Sequence, residues 1–295
     1  MKLVAFAPGN LVLTVSDLDS EGVPSTATWS FATNQYDYVG STGVNQYISG
    51  NGTFSQAGKF DLFGWVGTSS TVLTGDLSKY GVSNSTASLG IGADYAEKLA
   101  NGNVYGCQLD DALKSDWGNT ISDGNPWRTL SIYEWRYLLT NRLHASQKWG
   151  GATVNSVKGI IILPDTFTDP KTNSETVDGS FDSGGGWAKN TYDASGWGRM
   201  QTAGATFLPA AGYRNLGTTV NNAGLIGTYH TSTPKEVDGK NYRDFYSLDP
   251  TDPKLQDNAQ DHAYYFRISD SGNISLTNSG RRNFGRSVRL VHDLN

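Results

Sequence analysis

The C-terminal stretch Arg281-Arg-Asn-Phe-Gly-Arg-Ser-Val-Arg-Leu-Val291 starts basic and polar and ends in an alternating pattern. From Ser287 onward, Val288 and Leu290 fall on one side of an extended chain and the intervening residues fall on the other. This period of two predicts a closing β-strand with one buried face. We expect its arginines, Arg286 and Arg289 in particular, to be structural and to pair with loop carboxylates or carbonyls.

The stretch that precedes it, residues 271–283, is almost free of large apolar side chains. Ile274 and Leu276 are the exceptions, and they lie two residues apart. We interpret them as a short strand that turns at Gly280 and feeds the closing strand. A polar loop held between two anchored strands is typical of a binding surface on a rigid scaffold.

Composition limits the possible classes of protein. The chain has 295 residues, 35 glycines, 12% aromatic residues and a net charge of −5. The negative charge argues against a general binder of nucleic acid or anionic membranes. Cys107 is the single cysteine, which excludes an internal disulfide framework, and we expect it to be a small buried hydrophobe.

No apolar run approaches the roughly 20 residues of a membrane span. The apolar start, residues 1–7, is cut by Pro8 before it reaches the roughly 7–15 residues of a signal peptide, so we interpret it as a first strand. The chain therefore shows no signal peptide. Either it leaves the cell without one, or it is a fragment of a longer protein.

Short strands alternate with long loops along the chain, which predicts an α+β fold with one or two short helices. The clearest strands are Leu11–Val15, Thr26–Phe31, Lys59–Trp65, Val157–Leu163 and Ala205–Pro209. A second, short helix is predicted over residues 93–99, and polar excursions over 68–88, 166–193 and 235–260.

The best helix runs from Ser131 to Arg142. Ser131 and Glu134 have the spacing of a capping box. Trp135, Leu138 and Leu139 share one apolar face, which Arg142 extends with its stem. We expect this helix to pack on a sheet.

Catalytic and metal-binding patterns are not found in the sequence. The four histidines have no metal-ligand spacing, and there is no nucleophile elbow, P-loop or dinucleotide fingerprint. Loop carboxylates could hold calcium, but we interpret them as solvated. They are Asp178 and Asp182 in one cluster and Asp249, Asp252, Asp257 and Asp261 in another. We therefore expect no enzyme activity, no cofactor and no metal.

Several motifs, taken in order, resemble a known family. They include Phe6–Leu11, Trp29–Gly40, Asp61–Trp65, Asp116–Gly118, Trp127–Ser131 with Glu134-Trp135, Ile162–Asp165, Ala205–Arg214, Gly227–Pro234 and Gly285–Val291. The family is common in gut Bacteroidetes and their phages, and is similar to C-type-lectin-like domains of the formylglycine-generating-enzyme type. In many members the C-terminal segment is the variable region of a diversity-generating retroelement.

The resemblance implies one C-type-lectin-like domain over residues 1–295, with short twisted antiparallel strands and long loops. Residues 1–104 would be a strand-rich elaboration and 105–295 the lectin-like core with the variable region. Retroelements of this kind rewrite adenines in Asn-type codons, and randomising both adenines cannot yield Lys, Glu, Gln, Met or Trp. None of those five occurs from Asp261 to Asn295.

The resemblance also implies which positions change and which stay fixed. The fixed anchors would be Phe266, Ile268, Ile274, Leu276, Val288 and Leu290. The changeable, ligand-binding positions would be Thr228, Tyr229, His230, Asp261, His262, Tyr264, Ser271, Asn273, Ser275, Thr277, Asn278, Ser279, Gly280, Arg281 and Asn283. His230 stands where relatives usually have tryptophan.

The function expected is display of a diversifiable ligand-binding surface without catalysis. The partner would be a protein or glycan receptor on a target cell, met at the cell surface or by a virion tail adhesin. No nucleic-acid partner and no membrane insertion are expected, and the chain could form an oligomer. Two alternatives are a structural module of a surface or tail assembly and an enzyme of the formylglycine-generating type. The latter uses C-terminal cysteines that this chain lacks.

Overall fold

A computed structural model describes residues 3–22, 24–41, 45, 54, 56–65, 116–168, 181–215, 219–234, 262–281 and 284–294. The strands are β1 Leu3–Phe6, β2 Leu11–Leu18, β3 Pro24–Phe31, β4 Gly58–Phe60, β5 Arg128–Thr129, β6 Trp149–Val154, β7 Val157–Ile162, β8 Asn190–Tyr192, β9 Thr206–Pro209, β10 Tyr213–Arg214, β11 Val220–Asn221, β12 Gly227–Pro234, β13 His262–Ile268, β14 Ile274–Arg281 and β15 Leu290–Leu294. The α-helices are α1 Ile132–Arg136 and α2 Ala194–Thr202; a π-turn, Tyr137–Asn141, continues α1, and 3-10 turns span Trp117–Thr120 and Ala145–Gln147.

The described strands form several small sheets. β1-β15-β5 is antiparallel, and so are β3-β2-β4, β12-β13-β14 and the short pair β10-β11. The fourth larger sheet, β8-β6-β7-β9, is mixed, because β6 and β8 run parallel. The described chain is thus α+β, as the sequence predicted, with short strands and few helical turns.

Residues from both ends of the chain share one apolar core. β1 pairs along its whole length with β15, from Leu3 opposite Leu294 to Phe6 opposite Val291. One cluster of buried side chains contains Ala7, Leu11, Leu13, Val15, Phe54, Phe60, Phe63, Trp117, Trp127, Val288 and Leu290. Aromatic rings supply most of the volume of this cluster, which offsets the small contribution of the many glycines. The predicted division near residue 104 lies outside the described residues.

The capping box predicted for the main helix is confirmed. The Ser131 hydroxyl accepts from the Glu134 amide, and the Glu134 carboxylate accepts from the Ser131 amide. Trp135 and Leu139 are buried, as expected for the apolar face. The α-helix is shorter than predicted, because a π-turn replaces its C-terminal half before Arg142, whose guanidinium caps the Leu163 carbonyl oxygen at 2.8 Å.

The predicted closing strand differs from the observed one. Regular pairing begins at Leu290, and residues 285–287 form isolated bridges instead. Both sides of this segment are buried: Ser287 and Arg289, expected to point outward, are 0% and 1% exposed. The prediction of one buried face is therefore wrong, because the C-terminal segment lies inside the molecule with neighbouring chain on each side.

Helix α2 was not predicted from the sequence. Asp193 caps its N-terminus by accepting from the Gly196 amide at 2.6 Å, and Trp197 and Met200 bury its inner side. Gly196 and Gly198 lower the intrinsic helix propensity, so tertiary packing decides the conformation here. Cys107, the predicted helix at 93–99 and the excursions at 68–88 and 235–260 lie outside the described residues.

Candidate ligand-binding surface

The candidate surface is built on the hairpin of β13 and β14. The two strands pair antiparallel from Ile268 opposite Ile274 outward, and the turn between them is closed by the Ser269 amide donating to the Asn273 carbonyl oxygen at 2.7 Å. Gly272 adopts φ +74° there, a conformation that glycine takes without strain. β14 continues through Gly280 to Arg281, so the predicted turn at Gly280 is wrong, and the expected loop is a strand.

The inner face of the hairpin is anchored in an apolar core. Phe266, Ile268 and Leu276 are buried at 0%, 0% and 8% exposure, and Ile274 is half-buried against the same cluster. Trp135 of α1 stacks on Phe266 with ring centroids 4.8 Å apart. Three of these proposed anchors are thus buried and the fourth is half-buried, and α1 packs on this sheet as expected.

The outer face carries polar side chains. Residues opposite each other in an antiparallel pair lie on the same face, which places Ser275 with Arg267 and Asn278 with Tyr265. A register shift between these two pairs gives β14 one extra residue and leaves Thr277 exposed.

An internal hydrogen bond orders part of this outer face. The Asn278 side-chain amide donates to the Ser275 hydroxyl at 2.6 Å. Both residues are half-exposed, which leaves part of each side chain open to solvent.

Helix α1 also holds the hairpin at its edge. β14 is the edge strand of its sheet, and the Arg136 guanidinium donates to the Leu276 carbonyl oxygen from Nε at 3.3 Å and from Nη2 at 3.2 Å. The same guanidinium lies 5.7 Å from the Tyr133 ring centroid and 5.9 Å from that of Tyr264. A charged donor on this carbonyl blocks one site at which another strand could pair.

The turn of the hairpin rests on a glycine-rich loop that follows Phe181. The Trp187 indole donates to the Asp270 carbonyl oxygen at 2.6 Å. A Cβ added to Gly185 would lie 2.1 Å from the Asn273 Oδ1, and one added to Gly272 would lie 3.0 Å from the Gly186 nitrogen. The loop is therefore shaped to the turn, and the glycines permit the close approach.

Aromatic rings and one arginine stack beside the outer face. The Arg286 guanidinium carbon lies 4.1 Å from the Tyr265 ring centroid and 5.4 Å from that of Phe284. Phe284 is nearly parallel to Tyr213, with an interplanar angle of 9°. Arg286 is only 3% exposed, and burial lowers its pKa to about 10, so the group stays protonated at neutral pH.

Ten of the predicted site residues are on the hairpin. Ser271, Asn273 and Thr277 are exposed, and Tyr264, Ser275, Asn278, Ser279 and Gly280 are half-buried. Of His262 and Arg281 only the backbone is described, and it pairs the two residues across the hairpin. Asp261 and Asn283 lie outside the described residues. The structure therefore brings most of the predicted positions together. Tyr264 and Ser279 are paired with each other, and both lie on the inner side, where Tyr264 packs against the apolar cluster.

The other three predicted positions are not on the surface. Thr228, Tyr229 and His230 are 4%, 0% and 2% exposed, so the expectation that they form an exposed surface is wrong. The Ser287 segment pairs along the edge of β12 that faces away from β13: the His230 amide donates to the Ser287 carbonyl oxygen and the Ser287 amide to that of Thr228, each at 3.0 Å. The inner side of β12 packs in the core through Tyr229.

The buried side chains of β12 are nevertheless polar. A ring nitrogen of His230, Nε2, lies 2.8 Å from the Phe63 carbonyl oxygen. Burial, and then the nearby charge of Arg286, lowers the pKa of His230 to about 3, so the ring is neutral at physiological pH. The Tyr229 hydroxyl donates to the Pro209 carbonyl oxygen at 2.7 Å, and burial raises its pKa.

Arg289 links the C-terminal segment to three other segments of the chain. Its guanidinium donates to the side-chain oxygen of Asn10 at 3.0 Å and to three backbone carbonyl oxygens. These belong to Ala7 at 3.0 Å, Gln35 at 3.4 Å and Phe207 at 2.8 Å. The expectation that Arg289 pairs with carbonyls is confirmed. Burial lowers its pKa to about 10, which leaves the charge in place at neutral pH.

Over the residues that the structure describes, no three His, Cys, Asp or Glu side chains gather as a potential metal site. Asp178 and the cluster Asp249, Asp252, Asp257 and Asp261 lie outside those residues, while Asp182 is exposed. Among the described helices, none has the length and apolar character required to cross a membrane.

The chain was compared with known protein families, curated proteins and solved structures. No protein-family model, no curated protein and no solved structure matches the chain.

Proposed function

We propose that the chain is a non-catalytic ligand-binding protein that displays a diversifiable surface on β14 and the turn before it. One observation carries the proposal: inward side chains of the hairpin are buried anchors, while outward side chains of the same strand are polar and accessible. Because the two sets alternate along one backbone, the outward set can change while the core stays the same.

The composition of the C-terminal region supports diversification by a retroelement. The residues from Asp261 to Asn295 include none of the five types that randomised Asn-type codons cannot encode. Three of the exposed residues of the hairpin, Ser271, Asn273 and Thr277, carry small polar side chains of the kind that form adaptable hydrogen bonds in binding surfaces. Tyr265 and Arg267 beside them are of the types that dominate binding energy at protein interfaces.

The C-type-lectin-like fold is part of the same proposal. It is supported by the ordered motifs of the sequence, several of which form the framework in the structure. Trp117, Trp127 and Trp135 are buried, and the Asp116 carboxylate accepts from the amides of Gly118 and Thr129 at 2.8 and 3.0 Å. A framework of this kind would keep the hairpin fixed while its outward residues vary.

The ligand that we propose is a receptor, protein or glycan, on a target cell, met at the cell surface or by a virion tail. A display experiment tests the capacity to bind. A yeast-displayed library randomised at Ser271, Asn273, Ser275, Thr277 and Asn278 is selected against lysozyme as a defined target protein. The proposal predicts folded binders with different hairpin sequences. A folded library that yields no binder above the starting chain would contradict it.

A matched library separates surface from framework. Randomisation at Phe266, Ile268 and Leu276, which are buried, is expected to abolish display of folded protein. Light scattering of the purified chain addresses the structural-module alternative. A stable oligomer in which cross-linking shows the hairpin face covered would favour that alternative, because a covered face cannot meet a receptor.

A further inference from the structure

We propose that residue 280 is a specificity-determining position, which decides whether the guanidinium of Arg286 is held against Tyr265 or offered to a ligand. The inference deepens the proposed function and rests on it. With glycine at this position the cation is hidden; with a side chain there, it is displaced to the outer face of the hairpin.

Gly280 is in direct contact with the stacked arginine. A Cβ built on Gly280 would lie 2.5 Å from Arg286 Nη2 and 3.2 Å from Tyr265 Cε1. The first distance is far inside van der Waals contact, so one of the two groups must move if any other residue stands here. Position 280 is among the predicted changeable positions, and randomised Asn-type codons encode Ser, Asn and Asp as well as Gly.

The guanidinium is the group that moves more easily. Tyr265 belongs to β13, the central strand of its sheet, with neighbours hydrogen-bonded on both sides. Its ring position is therefore set close to a fixed backbone. The Arg286 guanidinium is the far end of a flexible side chain, and a change of rotamer can carry it several ångströms.

A displaced guanidinium would join another cation. Arg267 is half-exposed and lies two residues from Tyr265 on the same face of β13, a spacing of about 6.6 Å along the strand. Two guanidinium groups on one face favour carboxylate or phosphate groups, which arginine binds through paired hydrogen bonds. With glycine at position 280, the outer face presents the guanidinium of Arg267 alone. With a larger residue there, it presents the guanidinium groups of both Arg267 and Arg286.

Labelling with phenylglyoxal tests the exposure of Arg286 without any ligand. Mass spectrometry follows the rate of modification at Arg286 in the parent chain and in Gly280→Ser and Gly280→Asn. Reaction of a buried guanidinium must wait for local opening, so we expect labelling at least about tenfold faster in both variants. Asp270→Asn, at an exposed position in the turn of the same hairpin, is the control and should leave the rate unchanged.

Protection of Arg286 in both folded variants would overturn the proposal. If the variants lose stability, a double-mutant cycle measured by urea denaturation decides the matter. The cost of Gly280→Ser should shrink at least about threefold in the background of Arg286→Ala, since the colliding group is then gone. An unchanged cost would show that the collision is with another group, and the proposal would fail.

A binding experiment tests whether an exposed Arg286 contributes to the binding of an acidic ligand. Fluorescence anisotropy with labelled poly-glutamate at low salt should show about tenfold tighter binding to Gly280→Ser than to the parent, lost with added Arg286→Ala. Equal binding by all three would contradict the specificity role. Because labelling needs no ligand, it can fail while the display library yields binders, and the library can fail while labelling succeeds.

Discussion

The Arg136 guanidinium binds the carbonyl oxygen of Leu276 through two nitrogens, at 3.3 and 3.2 Å, and so joins the main helix to the edge strand of the candidate surface. Leu276 itself is buried and Thr277 next to it is exposed. The backbone of the candidate surface is thus fixed at the residue where the buried framework meets the exposed positions that we propose to vary.

Arg136→Met should loosen that edge. The substitution keeps most of the apolar stem and removes the charged donors, which we expect to lower the free energy of unfolding by about 1–2 kcal/mol. Amide exchange should accelerate in β14 more than in β13. Lys59→Met, at an exposed position of β4, is the control. Equal losses in the two variants would show that the bond to Leu276 contributes nothing specific.

Adjacent residues on β14 should respond in opposite ways to truncation. Leu276→Ala removes a buried side chain and should cost about 2–4 kcal/mol of unfolding free energy. Thr277→Ala changes an exposed side chain and should stay within about 0.5 kcal/mol of the parent. Urea denaturation of both variants gives the comparison. A large loss at Thr277 would mean that the outward position is part of the framework.

Trp187→Phe should free the turn without disturbing the strands. The variant keeps an aromatic ring but loses the indole donor to the Asp270 carbonyl oxygen. We expect a loss of about 1 kcal/mol and faster amide exchange at Gly272, with β13 unchanged. Trp149→Phe, at a half-buried tryptophan on β6, serves as the control. Unaltered exchange at Gly272 would argue that the glycine-rich loop does not position the turn.

His230 gives the stability a defined dependence on pH. Its folded pKa of about 3 lies below the ordinary 6.5, so the unfolded chain binds the extra proton between these values. Stability from this group is complete above pH 6.5 and falls on acidification toward pH 3, with a slope of at most about 1.4 kcal/mol per unit. His230→Gln should lose less stability than the parent across that window.

Asp61 changes the stability in the opposite direction to His230 when the pH falls. Burial raises its pKa from 3.8 to about 6, so the folded chain binds the extra proton between those values. Acidification from pH 6 to 3.8 therefore stabilises the parent through this group, and Asp61→Asn should remove that gain. Parallel pH curves for parent and His230→Gln would show that the ring is not neutral and buried as described.

Local patterns in the sequence predicted those parts of the framework whose conformation depends on a few neighbouring residues. The capping box at Ser131, the apolar run of β7 and the alternating anchors Phe266 and Ile268 are all signals contained within a few residues. Such signals survive because tertiary contacts reinforce them. Helix α2 shows the converse, since its glycines carry no helical signal and burial of Trp197 decides the conformation.

The errors came from contacts between distant segments. The alternating pattern at Ser287–Val291 suggests that one face of the segment is exposed to solvent. Residues 7, 10, 35 and 207, which supply the acceptors for Arg289, bury that face instead. Likewise, no local signal shows that the backbone of Thr228 and His230 pairs with the distant Ser287 segment. Gly280, which the sequence suggested as a turn, lies within β14, where it pairs with Ala263 of the neighbouring strand.

The most direct test of diversification is the sequence of this gene and its neighbouring DNA in related isolates. The account predicts a reverse transcriptase gene, a near-copy of the codons for residues 228–291, and substitutions concentrated on the hairpin. The positions are Ser271, Asn273, Ser275, Thr277 and Asn278. Substitutions spread evenly over these positions and the buried Phe266, Ile268 and Leu276, with no copy of the codons nearby, would contradict it.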